Sequence, residues 1–334
     1  MLETALRRYW HPVAEAASVT DAPRAVTLLG ERLVVFRGQG QIACFQDLCI
    51  HRGAALSLGW VEEGCLVCPY HGWTFDTTGG CVRIPSLPPE QPIPRKAHVR
   101  RYLAEERYGL IWVCLEDPAT PIPDFPEYGA PGYRTVLCGP YNWKASAPRA
   151  IENFVDFAHF AWVHPGILGD RSRTLVQPHE VTRAGNDLLF VNDLEEPNPD
   201  WKAAVSDDTI SRTVTYRYLY RLTMPLTIHA RKIGPAGDFV LFFVASPRSL
   251  RETSGYCFVA RNYVLDVPDE EFRRFEDMIF EQDRLIVESQ RPEELPLDLS
   301  AELHIKPDRV SVEYRRFLAD LGIETTPPAM AAPL

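Results

Sequence analysis

Short β-like runs, rich in apolar residues and separated by turns, fill the first third of the chain. Residues 26–29, 33–37, 41–45, 65–67 and 110–115 are the clearest, and they predict short strands. Asp76-Thr-Thr-Gly-Gly80 is a turn signal between two of them. The pattern then breaks. Asp117-Pro-Ala-Thr-Pro-Ile-Pro-Asp-Phe-Pro126 is followed by Pro131 and Pro140. Proline removes backbone donors and disfavours helix, so an irregular but ordered connector is predicted. Strand-like runs resume at 188–192, 213–221, 227–232, 239–245 and 256–263. Val214, Tyr216, Tyr218 and Tyr220 alternate with Thr215, Arg217, Leu219 and Arg221, which suits an antiparallel sheet with one covered face. Helices are predicted at 149–163, 270–290 and 309–321. Pro268 and the acidic trio Asp269, Glu270 and Glu271 open the second. Residues 326–334 are expected to be loose. The fold class is α+β: an all-β domain at 1–120, a connector at 121–140, and an antiparallel sheet with helices at 141–334.

Composition narrows the partners. A chain of 334 residues, 46% hydrophobic and 24% charged, can build two cores. The formal net charge of −10 lacks the basic excess of a nucleic-acid binder. No basic run suggests a membrane surface, and the longest apolar runs, 110–115 and 239–245, are too short to span a bilayer. The start, Met-Leu-Glu-Thr-Ala-Leu-Arg-Arg, lacks the apolar core of a signal peptide. A cytoplasmic protein is expected, with most of its eight cysteines reduced.

Two cysteines sit in a more telling context. Cys49-Ile-His51 and Cys68-Pro-Tyr-His71 each offer one thiolate and one imidazole at close range. Two Cys on one iron and two His on the other is the ligand set of a Rieske [2Fe–2S] centre, a carrier of single electrons. A structural Cys2His2 zinc site uses the same residue types, and spacing alone does not exclude it.

A second constellation follows the connector. Glu152-Asn-Phe-Val-Asp156-Phe-Ala-His159-Phe-Ala-Trp-Val-His164 carries two histidines and an aspartate. Two imidazoles and a carboxylate can hold non-haem Fe(II) with positions left open. On a regular helix His159 and His164 would point about 140° apart. They can share an ion only if the helix unwinds before Pro165 or contains a wide turn. Two unrelated histidines on one helix is the plainer alternative. The carboxylate must come from elsewhere. On the helix at 270–290 the apolar stripe is Phe272, Phe275, Ile279 and Ile286. Asp283 falls about 20° to one side of Phe272 and Glu276 about 40°. An acid turned toward a core needs a partner. Asp283 is the favoured ligand, with Glu276 in reserve.

Together the two loops, Cys49-Ile-His-Arg-Gly-Ala-Ala-Leu-Ser-Leu-Gly59 and Cys68-Pro-Tyr-His-Gly-Trp-Thr-Phe-Asp76, and the later stretch resemble the catalytic α-subunit of Rieske non-haem iron oxygenases. The likeness runs from Trp10-His-Pro-Val-Ala14 to the helix around Asp283, and is greatest to the α-only branch that includes vanillate and dicamba O-demethylases. It implies that Cys49, His51, Cys68 and His71 hold the cluster and that His159, His164 and Asp283 hold mononuclear Fe(II). It further implies that Asp156 bridges the iron site to the cluster of a neighbouring subunit, through a His71–Asp156–His159 route, and that Asn153 stands beside the iron. The implied fold is a Rieske β-domain with a helix-grip catalytic domain, and the implied assembly is a head-to-tail homotrimer. The implied activity is that of a terminal oxygenase. It would use O2 and electrons from a ferredoxin or flavin reductase fed by NAD(P)H to hydroxylate or demethylate an aromatic or heterocyclic small molecule. Ring cis-dihydroxylation, or an electron carrier without oxygenase activity, are the alternatives. Substrate contacts are sought at Phe157, Trp162, Tyr218, Leu241, Phe243 and Asn262. Arg217, Arg221, His229 and Arg231 would suit an acidic substrate, although surface ion pairs explain them equally well.

Overall fold

Strands too short to stand alone are stable only as paired sheets, and the first third of the chain builds two. In the computed structural model, which describes residues 2–198 and 213–322, one unit spans Leu6–Ile122 and the other runs from Pro123 onward, with the first five residues. The loose tail expected at 326–334 lies outside the described residues. The first unit has a six-stranded sheet in the order His11–Glu15, Leu110–Cys114, Arg101–Arg107, Gln41–Gln46, Glu31–Gly38 and Arg24–Leu28. A second, four-stranded sheet runs Trp60–Glu62, Cys65–Val67, Thr74–Phe75 and Cys81–Arg83. Val34, Phe36, Phe45, Leu66, Phe75 and Val99 close the core, and Cys49 and Cys68 belong to the same buried cluster.

The second unit is a seven-stranded antiparallel sheet. Its order is Arg134–Trp143, Glu252–Arg261, Gly237–Ser249, Thr227–Gly234, Thr213–Thr223, Asp187–Pro197 and Val181–Ala184. Successive side chains alternate between its faces. Phe243 stacks on Phe154 of the helix Ala147–Val155 at 4.2 Å, and the next residue back, Phe242, stacks on Phe125 at 4.5 Å. Helices therefore cover one face, and the proline-rich segment covers the other. That segment is shorter than expected. A strand begins at Arg134, and Pro140 sits where the register slips between Cys138 and Tyr141, so no ladder bond is asked of it.

Two helices differ from the sequence expectation. The helix predicted at 149–163 stops at Val155. Asp156 is extended (φ −91°, ψ 117°), and its Oδ1 accepts the N–H of Ala158 at 2.7 Å. This local bond competes with the helical ladder, and a single turn, Phe160–Val163, follows. The long helix Asp269–Val287 buries Glu276, Ile279, Phe280, Asp283 and Val287, while Phe275 and Ile286 are exposed. Its inward face is rotated by about 60° from the apolar stripe, toward Phe280 and Val287, with Asp283 and Glu276 at its centre as the periodicity implied.

Helix Arg309–Asp320 is tied to helix Ala147–Val155 by charge. Arg315, fully buried, donates to Glu152 at 2.7 and 2.9 Å and also to Glu302, which accepts from Arg149 at 2.8 Å. Removing one member strands the others. Arg315→Ala should cost about 3–5 kcal/mol in urea unfolding, with the visible absorption of the first unit unaffected below the transition. A loss within about 0.5 kcal/mol would mean that the network contributes little.

Candidate metal centres and substrate cavity

The Cys49 and Cys68 loops are built alike. Cys49 donates its N–H to Ala54 O (2.7 Å) and accepts from Gly53 N (2.9 Å); Cys68 donates to Trp73 O (2.8 Å) and accepts from Gly72 N (3.1 Å). Gly53 (φ +70°) and Gly72 (φ +68°) supply the left-handed turn in each. Both thiols are buried and within hydrogen-bonding reach of one another. Burial, opposed by the N–H groups of His51 and Arg52 and reinforced by the Cys68 thiol, pushes the Cys49 thiol up to about 11. The imidazoles lie at the surface end. His51 Nδ1 and His71 Nδ1 are 3.2 Å apart, and His51 stacks on Trp73 at 4.6 Å.

Ligands about 2.1 Å from one tetrahedral ion stand about 3.4 Å apart, which the imidazole pair matches. The four groups do not converge on one point. Among the described residues, three ligand atoms lie within 4.8 Å of one another only at His159, His164 and Asp283. A thiol pair and a separate imidazole pair fit a two-iron cluster and not a single zinc.

The broken helix builds the second centre. His159 precedes the turn Phe160–Val163 and His164 follows it. The chain then folds back so closely that a Cβ on Gly169 would meet Ala161 N at 2.5 Å. Both rings consequently face the long helix. His164 Nε2 lies 3.0 Å and His159 Nε2 3.5 Å from Asp283 Oδ1. Gln282 Oε1 accepts from His164 Nδ1 at 2.7 Å. With the proton on Nδ1, a neutral His164 turns a lone pair on Nε2 toward a carboxylate oxygen. In that tautomer a cation between or beside the two acceptors would satisfy both, so the donor set fits a metal. Asp156 lies alongside, with its Oδ2 3.7 Å from His159 Nδ1. Although burial would raise it, His159 and the N–H groups of Ala158 and His159 hold the Asp156 carboxyl below its ordinary range.

A cavity of about 980 Å³ opens from these ligands. Tyr218 and Leu241 line it, as does Asn153. The other four residues sought as contacts do not. Phe157 packs against Phe190 and Tyr220, Phe243 is covered by Phe154, Trp162 is exposed, and Asn262 Oδ1 accepts from Asp238 N. The strand cations also turn away. Arg217 faces Asp193, Arg221 donates to Asp124 O, His229 pairs with Glu127 and Arg231 with Asp238. The polar cavity wall is instead Glu196, Lys232 and Glu276, with Tyr216 and Tyr218. Lys232 was legible: it shares the parity of Ile228 and Ala230 on its strand. Gln282 carried no signal beyond its place beside Asp283.

Residues 9–102 match the Rieske [2Fe-2S] domain, and residues 143–323 match the vanillate O-demethylase oxygenase C-terminal domain. The chain belongs to the Rieske non-haem iron oxygenases. It is 36% identical to the methylxanthine N1-demethylase NdmA of Pseudomonas putida, over 95% of this chain and 89% of that one. It is 32% identical to the methylxanthine N3-demethylase NdmB of the same organism, over 96% and 91%. The structure of P. putida CBB5 NdmA with caffeine superposes with a TM-score of 0.85 at 35% identity, covering 95% and 91% of the two chains. This oxygenase is the terminal component of a multi-component system. It uses a Rieske cluster, mononuclear iron, O2 and electrons from a reductase to hydroxylate or oxidatively demethylate an aromatic or heterocyclic small molecule. No helix among the described residues is long and apolar enough to cross a membrane.

The His164–Gln282 bond orients one ring of the candidate metal triad His159, His164 and Asp283. Gln282→Leu is expected to speed loss of Fe(II) to a chelator, with affinity lowered about 10–100-fold. Unchanged iron retention would show that this bond does not orient the ring.

Proposed function

We propose that this oxygenase removes a methyl group from nitrogen of a neutral methylated heterocycle. The observation that carries the reading is the charge of the cavity. Among the described lining residues Lys232 is the one lysine or arginine, and it is already paired with Glu196. Among the described lining residues an aryl carboxylate or sulfonate would find no unpaired lysine or arginine. The names of the two P. putida relatives point the same way. Overall, an N-methyl group, O2, two electrons and two protons would become an N–H group, formaldehyde and water.

Cys49 and Cys68 would hold one iron of the cluster, His51 and His71 the other, and His159, His164 and Asp283 the mononuclear ion. When bound, these groups supply single electrons and the reductive activation of O2. The protein's own residues do the rest. Phe154, Phe160, Ile279 and Phe280 form an apolar wall that excludes water and fits a planar ring. Asn153, on the same helix as Phe154, offers an amide at the metal end. Asp156 is a positioning residue. Its half-exposed carboxylate steadies His159 and remains accessible to an imidazole of a neighbouring copy. A cyclic homotrimer would provide that neighbour and would cover two exposed apolar groups: Ile50, Leu58, Trp60 and Tyr70 about the cluster loops, and Leu285, Ile286, Leu303 and Ile305 in the second unit. A cytoplasmic setting with an NAD(P)H-dependent reductase completes the system.

Purified protein supplied with NADH, O2 and a surrogate reductase is expected to convert an N-methyl heterocycle into formaldehyde and a product lighter by one CH2 unit. Products that gain one or two oxygens and keep the methyl group would overturn the assignment. Asp156→Asn should retain iron and cluster, by metal assay and EPR, while turnover falls about 10–100-fold. Full activity in that variant would remove Asp156 from the scheme.

A further inference from the structure

Two turns before Asp283, the long helix turns a second carboxyl inward. Glu276 is 3% exposed, lines the cavity, and accepts no hydrogen bond from any described residue. The nearest cation offers little. Lys232 is bonded to Glu196, which also accepts from Tyr218, and its ammonium lies 3.9 Å from the centre of the Tyr216 ring. The groups around Glu276 are Lys232 from strand Thr227–Gly234, the thiols of Cys138 and Cys257 from the two adjoining strands, and Asp277 and Asp283 of its own helix. Burial, opposed by Lys232 and reinforced by Asp277 and Asp283, pushes the carboxyl up to about 8. The cavity is therefore flanked by two acids about 10 Å apart along the helix axis. One lies among the metal ligands, and the other is unpartnered and faces the space a substrate would fill. A buried polar group without a partner is costly, unless a ligand supplies one.

We propose that Glu276 is a specificity-determining residue: it donates a hydrogen bond from its carboxylic acid to a carbonyl or ring-nitrogen acceptor on the substrate, and it disfavours anionic aromatics. The distance between the acids suits a molecule of one or two rings that reacts at one end and is read at the other. The inference rests on the neutral-heterocycle reading and assigns the group that does the reading. An amine cation would require the ionised form of Glu276, and an anion would meet Glu196 and Glu276 with no unpaired lysine or arginine among the described lining residues.

The test is equilibrium binding to the holoenzyme without O2, with caffeine as the neutral acceptor-bearing probe and toluene-4-sulfonate as the anion. Calorimetry reads affinity, and EPR and iron content confirm intact centres. Wild-type protein should bind caffeine and not the sulfonate, more weakly as pH rises above about 8, because ionisation removes the donor. Glu276→Leu should weaken caffeine binding about 10-fold or more. Glu276→Gln, which keeps a donor in nearly the same volume, should stay within about 3-fold and lose the pH dependence. Caffeine binding that is undiminished in Glu276→Leu, or equally pH-dependent in Glu276→Gln, overturns the role of Glu276 and leaves the reading standing. Wild-type protein that binds the sulfonate and rejects caffeine overturns the reading as well.

Discussion

The catalytic unit is organised around one buried carboxylate. Asp283 is carried into the interior by a helix whose neighbouring inward residues are Ile279, Phe280 and Val287. A lone ionised acid in that position is unfavourable without a positive partner. Two imidazoles meet it, at 3.0 and 3.5 Å. They can reach it only because the preceding helix stops at Val155 and one turn intervenes between His159 and His164. The break is thus as much a part of this candidate metal centre as the three side chains are. Asp156 both ends the helix, through its bond to Ala158 N, and stands 3.7 Å from His159. One side chain sets the backbone path and then flanks the ring which that path delivers.

The two centres solve opposite electrostatic problems. In the first unit the thiols sit in the hydrophobic core, while the imidazoles point outward. As ligands of a cluster, the thiolates would be shielded from water, and the neutral imidazoles would form the end that a redox partner can approach. In the second unit both histidines and the carboxylate turn inward, toward an apolar cavity. The first arrangement suits entry and exit of electrons at a surface, and the second suits chemistry on a molecule removed from solvent. Membership of the oxygenase family requires both in one chain, and each is built from its own short sequence stretch.

How far the sequence could be read follows from the range of each signal. The candidate cluster loops were legible because their thiols and imidazoles are local: two residues from Cys49 to His51, three from Cys68 to His71. The strands were legible from alternation, and Thr227–Gly234 and Gly237–Ser249 extend the predicted runs by only a few residues. The long helix was found, and Asp283 and Glu276 turn inward as its periodicity implied; its apolar stripe left out Phe280 and Val287, which are buried, and counted Phe275 and Ile286, which are exposed. The helix break was legible only as a constraint: histidines five apart cannot share an ion on a regular helix, so something had to give. The substrate wall was least legible. Phe157, Phe243 and Asn262 belong to the right segments and point into packing, a distinction that depends on the twist and contacts of seven strands.

Glu276 and Asp283 show how little sequence identity says about chemical state. They are carboxylic acids on one helix face, seven residues apart, and both are buried. Asp283 has two imidazoles beside it, at 3.0 and 3.5 Å, in a donor set that fits a cation. Glu276 faces an apolar space, with its nearest ammonium held by Glu196, conditions that favour the neutral form. Different surroundings thus give the two acids different chemical roles: Asp283 is placed to face a cation shared with two imidazoles, and Glu276, held neutral by burial, is placed to donate a hydrogen bond. One helix, presenting one acid at each end of the cavity, thereby keeps the reacting end and the reading end distinct, and the spacing between them is fixed by two turns of backbone.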